Sequence, residues 1–167
     1  WDFNPGQKID VRVVSNAPEV ELCFNKVSQG RGKLQQGNKK EYFGDWQLCY
    51  APGELYAAAY DETGKVIAED SKVSFSDAVQ ISLEADRYTI SANDEEMVFV
   101  TISMKDKNGN PVENANNRVT ANVSGAGMLA GLDNGDSTDT DQYHTDSKQL
   151  FSGKLLAVIR SNGAAGE

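Results

Sequence analysis

Several residue types that catalytic sites depend on are scarce in this sequence of 167 residues. It has one histidine, His144, and two cysteines, Cys23 and Cys49, so any Ser/His/Asp or Cys/His arrangement depends on a single imidazole. No G-x-x-x-x-G-K-[ST] phosphate loop and no C-x-x-C pair occurs. His144 lies in a polar segment without a predicted orienting partner, and we interpret it as an exposed loop residue. No cofactor is expected.

Long apolar runs and clustered basic residues are missing too. Apolar runs such as residues 155–159 are far shorter than the roughly 20 residues of a membrane helix. The net charge is −9, and because nucleic acids and anionic membranes bind clustered cations, neither is expected as a partner. The chain begins Trp1-Asp2-Phe3, without a Met, a basic segment or an apolar signal core. We therefore interpret it as a fragment or a mature piece with no address signal of its own.

Helical periodicity is absent, and alternation with a period of two recurs instead. No window of a dozen residues holds an i, i+3, i+4, i+7 apolar stripe free of Gly, Pro or Asn. The alternating sets, each predicted to form the inward face of a strand, are Ile9, Val11 and Val13; Val20, Leu22 and Phe24; Trp46, Leu48 and Tyr50; Leu55, Ala57 and Ala59; Ile81, Leu83 and Ala85; Val98, Val100, Ile102 and Met104; and Val119, Ala121 and Val123. Turn signals about every 8–12 residues between such strands are typical of an all-β sandwich.

The spacing of the strands predicts two tandem immunoglobulin-like antiparallel β-sandwich domains, residues 1–77 and 78–167, each close to the ~100 residues of a small sandwich. In the first, residues 28–41 are polar and are predicted to be an exposed loop, with strands at about 42–50, 54–61 and 65–75. In the second, a short strand is expected at 88–92 and a turn at 106–111. We expect the second domain to be truncated at its last strand, and an unpaired edge there invites self-association.

The two cysteines are predicted to point outward from their strands. Cys23 alternates with Leu22 and Phe24, and Cys49 alternates with Leu48 and Tyr50. Two interpretations stay open, a bridge between neighbouring strands and two free thiols. The second is favoured because disulfide geometry is narrow.

An acidic segment, residues 133–141, raises the question of a calcium site. Its carboxylates are numerous, but Gly is not at the sixth position and His144 occupies the twelfth, which excludes an EF-hand. A mobile, solvated acidic loop and an irregular Ca²⁺ site both remain as interpretations. The first is favoured, and no metal site is predicted.

Motifs in a consistent order over the chain resemble one known family. The segment from Trp46 to Lys65, with the pattern W-x-x-x-Y-x-P-G-E-L-x-A-x-x-Y-D-x-x-G-K, resembles the C-terminal accessory region of family 2 glycoside hydrolases, the β-galactosidase-like enzymes. Further matches, in the same order as in that family, are Trp1-Asp2-Phe3, residues 13–25, Leu83-Glu84-Ala85-Asp86, residues 98–110, Val123-Ser124-Gly125-Ala126-Gly127, Asp133-Asn134-Gly135-Asp136 and Phe151-Ser152-Gly153-Lys154-Leu155. Asp2 and Phe3 depart from the usual N-W of the family, and Asn93 stands where an A-D-G turn is common.

The resemblance implies a function without catalysis in this chain. In the family, two glutamates on a (β/α)8 barrel hydrolyse a β-glycosidic bond, and the motifs of that barrel are absent here. The resemblance therefore implies an accessory region of a periplasmic or extracellular β-galactosidase-like enzyme, whose partner is the catalytic barrel of the same polypeptide. Two alternatives stay open: a carbohydrate-binding module with its own glycan affinity, and a generic immunoglobulin-like spacer or adhesion pair.

Two sets of side chains are weighed as sugar-directed sites. Glu19 and Glu21 leave one strand face roughly 7 Å apart, whereas a retaining glycosidase needs carboxyl groups about 5–5.5 Å apart in a cleft. We interpret them as a solvated strand face. Exposed aromatic rings can stack on sugars, and Trp1, Tyr56 and Tyr60 are the candidate carbohydrate-binding residues. Trp46 and Tyr50 belong to the inward set instead, and core packing is predicted for both.

Overall fold

The chain divides into two compact units in the computed structural model, which describes residues 1–34, 42–93 and 95–167. The first unit is Trp1–Phe75 and the second is Ser76–Glu167. Every regular element in these described ranges is a β-strand, and all strand pairs are antiparallel. The predicted all-β fold is confirmed. The contacts place the division after Phe75, where the sequence placed it after residue 77.

The first unit pairs a two-stranded sheet with a four-stranded sheet. Its strands are β1 (Lys8–Val14), β2 (Glu19–Phe24), β3 (Val27–Lys33), β4 (Phe43–Cys49), β5 (Glu54–Tyr60) and β6 (Val66–Val73). The small sheet is β1–β4, and the large sheet has the order β3-β2-β5-β6.

The core of the first unit follows the predicted alternation. Ile9, Leu22, Leu48 and Tyr50 are buried together, and Trp46 packs against the same cluster. These side chains come from β1, β2 and β4 and from the residue that follows β4, so both sheets contribute to one interior. The core positions predicted for Trp46 and Tyr50 are confirmed.

One predicted loop in this unit contains a strand. Residues 28–41 were expected to be an exposed loop, but Val27–Lys33 forms β3 and pairs with β2. Asn25 and Lys26 have φ values of 49° and 67°, which build a two-residue turn that folds β3 back onto β2. An edge strand needs no apolar face when solvent covers it, so the polar composition of β3 concealed it. Residues 35–41 of the expected loop lie outside the described residues.

The second unit has the same combination of sheets. Its strands are β7 (Gln80–Ala85), β8 (Met97–Lys105), β9 (Arg118–Thr120), β10 (Gly127–Asp133), β11 (Ser147–Gln149) and β12 (Lys154–Ser161). The large sheet has the order β10-β12-β8-β7, and the small sheet is β11–β9. Its buried apolar residues are Ile102, Met104, Val112, Ala115, Leu132, Leu150, Leu155 and Ala157.

The short strand expected at residues 88–92 does not form. Ser91 donates its backbone N–H and its hydroxyl to the Glu96 carboxylate, at 3.0 and 2.8 Å. The Asn93 side chain accepts the backbone N–H groups of Glu95 and Glu96. These side-chain bonds satisfy the backbone locally, so the segment turns between β7 and β8 and does not join a sheet.

Among the residues that the structure describes, there is no helix with the length and the hydrophobicity of a membrane span.

Candidate functional site

The outer face of the large sheet in the first unit carries four of the candidate residues weighed from the sequence: Glu19, Glu21, Tyr56 and Tyr60. Strands β2, β3 and β5 lie side by side there, and alternation turns Glu21, Arg31 and Tyr60 to the side away from the core. The Glu21 carboxylate accepts hydrogen bonds from the Ser28 hydroxyl at 2.5 Å, the Tyr60 hydroxyl at 2.7 Å and Arg31 Nε at 3.2 Å. One carboxylate thus joins three strands.

These donors hold Glu21 in its ionised form. The hydrogen bond from Ser28, followed by that from Tyr60, lowers the pKa of the Glu21 carboxyl below its ordinary value. A glycosidase general acid needs the opposite, a carboxyl whose pKa is raised so that it is protonated when it meets the leaving group. Glu21 is therefore suited to binding cations and hydroxyls and unsuited to donating a proton.

Glu19 and Glu21 share a single cation. Arg31 Nη1 lies 3.5 Å from Glu19 Oε2, and its Nε lies 3.2 Å from Glu21 Oε2. The guanidinium occupies the position between the carboxylates where a hydrolase would place the scissile bond. The pair consequently forms part of a surface ion-pair network on a sheet face.

Tyr60 does not present a free aromatic face. Its exposed fraction is 9%, and the Arg31 guanidinium carbon lies 3.9 Å above the centre of its ring. The hydrogen bond to Glu21 raises the pKa of the Tyr60 hydroxyl. Tyr60 alternates with the inward residues of β5, which predicts an exposed ring on the outer face. That expectation is wrong because the long side chain of Arg31, from β3, covers the ring. The signal was available only once β3 was recognised as a strand.

Tyr56 lies four residues before Tyr60 on the same face and is half-buried. Its hydroxyl donates to the Glu69 carboxylate of β6, and this bond raises the pKa of Tyr56 to about 12. Cys23 is its cross-strand neighbour, and burial raises the pKa of the Cys23 thiol, which disfavours the nucleophilic thiolate. The face around Tyr56 can therefore offer an aromatic edge and a carboxylate, and no activated nucleophile.

Trp1 belongs to the interior and does not join the two tyrosines. Its ring makes edge-to-face contacts with Phe24 at 5.8 Å and Tyr50 at 4.9 Å between centroids. Its indole N–H donates to the Gly53 carbonyl at 3.3 Å. Phe24 and Tyr50 line the inner side of the sandwich, whereas Tyr56 and Tyr60 line its outer side, so the three candidate sugar-binding residues do not form one platform. Their role in binding sugar stays a prediction.

The cysteines sit on different sheets, Cys23 on β2 and Cys49 on β4, and both are free. Each points away from the core, so the two thiols lie on opposite outer faces of the sandwich. The prediction of two free thiols is confirmed.

The acidic segment of the second unit is organised around a lysine that sequence reasoning missed. The Lys148 side chain is 2% exposed, and its Nζ lies 3.1 Å from Asp139 Oδ2 and 2.9 Å from the Asp141 carbonyl oxygen. Asp139 also accepts the Asn134 amide at 2.7 Å and the Asp141 backbone N–H at 2.8 Å. The backbone bond from Asp141, followed by the bond from Lys148, lowers the pKa of the Asp139 carboxyl.

Lys148 therefore supplies, from within the protein, the positive charge at the centre of this loop. Among the residues that the structure describes, no group of three or more His, Cys, Asp or Glu side chains is arranged to hold a metal ion. His144 is exposed, and its Nδ1 lies 2.9 Å from the Ala130 carbonyl oxygen. The interpretation of this segment as a mobile loop omits the anchor, because Lys148 follows the acidic residues by seven positions and no local pattern links the two.

Comparisons with known proteins place these features in a family context. The profile of the glycoside hydrolase family 2 C-terminal domain 5 matches residues 81–167, and that of a domain of unknown function matches residues 6–68. The beta-galactosidase BoGH2A of Bacteroides ovatus is 34% identical over an alignment that covers 100% of this chain and 19% of that protein.

Solved structures agree with the sequence matches. A beta-glycosidase from Bacteroides vulgatus is 31% identical with a TM-score of 0.88, over 97% of this chain and 20% of its own. A glycosyl hydrolase family 2 member from Bacteroides cellulosilyticus is 27% identical with a TM-score of 0.89, over 99% of this chain and 23% of its own. The chain spans about a fifth of the length of these proteins and corresponds to a C-terminal accessory part. The resemblance inferred from the motifs is confirmed.

Proposed function

The chain belongs to the C-terminal domain 5 family of glycoside hydrolase family 2, and we propose that the complete protein is a β-galactosidase-like glycosidase whose catalytic barrel lies outside these 167 residues. In this proposal the chain itself catalyses nothing. It packs on the barrel of the same polypeptide, extends it and shapes the rim of its cleft. A generic spacer unrelated to glycosidases does not account for the family match.

One observation carries the proposal. The whole chain aligns with proteins four to five times longer that are named as glycosidases, with 97% and 99% of its residues superposed on two of them. The geometry of the carboxylates supports the same conclusion. Glu19 and Glu21 share Arg31 on the outer face of a sheet, and the pKa of Glu21 is shifted away from what a proton donor needs.

The named relatives support a proposal for the substrate class. Bacteroides ovatus BoGH2A is a beta-galactosidase, and a more distant relative from Formosa agariphila, 31% identical, is named a putative beta-glucuronidase. We therefore propose a β-galactoside as the substrate of the complete enzyme. The periplasm or the cell exterior is the proposed location, supported by the family resemblance. Glycan binding through Tyr56, and self-association through the C-terminal edge, remain predictions for the isolated chain.

Hydrolysis of a chromogenic β-galactoside tests this proposal. The complete polypeptide is expected to release the chromophore, and residues 1–167 expressed alone are expected to give the rate of the blank. A chromogenic β-glucuronide serves as the substrate control, because turnover of the glucuronide alone would reassign the sugar and leave the reaction class intact. Turnover of either substrate by residues 1–167 would contradict the accessory role. Fractionation of source cells with an antibody against this chain tests the location.

A further inference from the structure

An uncovered apolar stripe lies on the inner side of the second unit. Val79, Ile81 and Leu83 have exposed fractions of 65%, 51% and 67%, and we call these three residues the β7 stripe. By register, Ile81 lies opposite Met104 and Leu83 lies opposite Ile102. Those partners on β8 are only 8% and 4% exposed. The same sheet face thus forms the core at β8 and is open to solvent at β7.

The second sheet of this unit is too small to cover the stripe. Strands β9 and β11 have three residues each, whereas the opposing sheet has four strands of six to nine residues. Three residues of strand extend only about 10 Å. The inner side chains of the central strand β12 are nevertheless buried, with Leu155 at 1% and Ala157 at 3% exposure. The middle of the large sheet is therefore covered, and its β7 edge is open.

The open region continues at the far end of the same face. Val98 of β8 is paired with Ile159 of β12, and both line a cleft of about 610 Å³. Tyr88, with an exposed fraction of 89%, borders this cleft. The β7 stripe and the cleft lie on one inner face, and residues 164–167 line the cleft from the C-terminal end of the described chain.

The first unit shows that an open edge does not by itself require apolar residues. Its large sheet also extends beyond the small one, at β6. The inner positions of β6 are Ala68, Asp70 and Lys72, by their pairing with the inward residues of β5. All three are exposed, and two of them are charged. The inner positions of β6 thus include charges, whereas those of β7 are apolar, and this difference indicates cover by protein at β7.

We propose that the β7 stripe is covered by further β-strands of the same polypeptide, from outside residues 1–167, which complete the second sheet of this unit. The proposal rests on the proposed function, because the solved relatives contain this fold within chains of which it forms 20% and 23%. A tethered segment covers the stripe at high effective concentration. The covering strand carries an apolar side chain at every second residue.

Charge argues against a second copy as the occupant. Residues 78–167 contain 13 acidic and 7 basic residues. The excess of acidic residues gives this unit a net negative charge, and like charges on two copies disfavour their association.

Thiol labelling of the complete polypeptide tests the proposal. In a Cys23→Ser, Cys49→Ser background, Leu83→Cys places a thiol on the stripe and Gln80→Cys places one on the opposite, exposed side of the same strand. In the complete polypeptide, maleimide is expected to label the Leu83→Cys variant ~100-fold more slowly than the Gln80→Cys variant, because labelling must wait for local opening. In residues 1–167 alone, the two rates are expected to agree within about threefold. Ile81→Cys replaces Leu83→Cys if that variant does not fold.

Equal labelling rates for the two variants in the complete polypeptide would overturn the proposal. The proposal would also be overturned if Leu83→Cys in residues 1–167 were labelled slowly and the labelling rate fell further as the protein concentration rose. That result would show that a second copy covers the stripe. Galactoside hydrolysis measured on the same samples keeps the two proposals separate. If the complete polypeptide is active and Leu83→Cys is labelled fast, only the proposal of covering strands is contradicted. If the polypeptide is inactive and Leu83→Cys is labelled slowly, only the proposed activity is contradicted.

Discussion

The two units use one layout and differ in the side chains that their uncovered strands present. Within the described residues, each contains one four-stranded and one two-stranded sheet, and the inner positions of one edge strand of the larger sheet are exposed. On β6 of the first unit the uncovered inner positions include Asp70 and Lys72, whereas on β7 of the second they are Ile81 and Leu83. The inner positions of the two edge strands thus differ in polarity, and the proposed covering strands account for the apolar ones on β7.

The units also differ in where they place their polar networks. In the first unit, Glu21, Arg31 and Tyr60 form a network on the outer face of the large sheet. In the second, Lys148 is buried and anchors an acidic loop from within. A surface network tunes the protonation of its members at little cost in stability, whereas a buried charge must keep its partners.

The largest effect is expected from a core truncation that tests whether the units unfold separately. Leu22 is 1% exposed in the core of the first unit, so Leu22→Ala is expected to lower the free energy of unfolding of that unit by about 3 kcal/mol. Both tryptophans, Trp1 and Trp46, lie in the first unit. Their fluorescence in a urea titration therefore reports on that unit.

Leu155→Ala is the matched control, since Leu155 is equally buried in the second unit. It is expected to leave the tryptophan midpoint in place and to shift the methyl NMR signals of the three methionines, all of which lie in the second unit. A tryptophan midpoint that moves as far with Leu155→Ala as with Leu22→Ala would mean that the units unfold as one.

A second expected effect, of about 2 to 3 kcal/mol, concerns the buried lysine. Lys148→Ala removes the ammonium from Asp139 and the Asp141 carbonyl, and breaking a buried ion pair from one side is costly. The figure lies below the range for fully buried pairs because the Asp139 side chain is 15% exposed. Urea unfolding followed by the methionine methyl signals measures the loss. Lys107→Ala, at an exposed turn position, is the control and is expected to change little. Equal effects of the two substitutions would contradict the anchoring role.

A smaller effect is expected at the β7 stripe, and it depends on the length of the chain. In residues 1–167, Leu83→Ala removes a side chain that is 67% exposed, so stability is expected to change by less than about 0.5 kcal/mol. In the complete polypeptide the same substitution is expected to cost about 2 kcal/mol, because the side chain is then part of a core. Chemical denaturation of both forms gives the two values. Identical losses in the two forms would remove the distinction between β6 and β7.

The smallest effect concerns acid sensitivity of the first unit. The pKa of Glu21 is lowered by the hydrogen bonds from Ser28 and Tyr60, so the folded state favours the carboxylate. The resulting stability is present above the ordinary pKa of 4.5 and is lost as the pH falls through the lower, folded value. Glu21→Gln is therefore expected to flatten the pH dependence of the urea midpoint, followed by tryptophan fluorescence, below the ordinary carboxyl pKa of 4.5. Glu62→Gln, in an exposed turn, is the control and is expected to leave that dependence unchanged. If the urea midpoint of Glu21→Gln depends on pH as steeply as that of the parent, the role of Glu21 is refuted.

The alternation of side chains made much of the fold predictable. The inward sets containing Leu22, Leu48 and Ile102 are buried as expected, because burying one face of a strand imposes a period of two. Strand β3 was missed because a solvent-covered edge imposes no such pattern on residues 27–33. The two-residue turn at Asn25 and Lys26 was the one local signal for it.

The candidate site was less predictable than the fold. Parity placed Tyr60 on the outer face, yet parity does not reveal that Arg31 from a neighbouring strand covers its ring. Lys148 likewise lies next to Asp139 only through the folding of the loop that joins them. Contacts between strands that are distant in sequence determine both sites, and a single sequence does not encode such contacts as a local pattern.

Hydrogen–deuterium exchange on the complete polypeptide and on residues 1–167 tests most directly whether this chain is a part of a larger enzyme that completes it. Amides of residues 79–85 are expected to exchange much more slowly in the complete polypeptide, and the change at residues 66–73 is expected to be smaller. Equal exchange at residues 79–85 in the two forms would contradict the account.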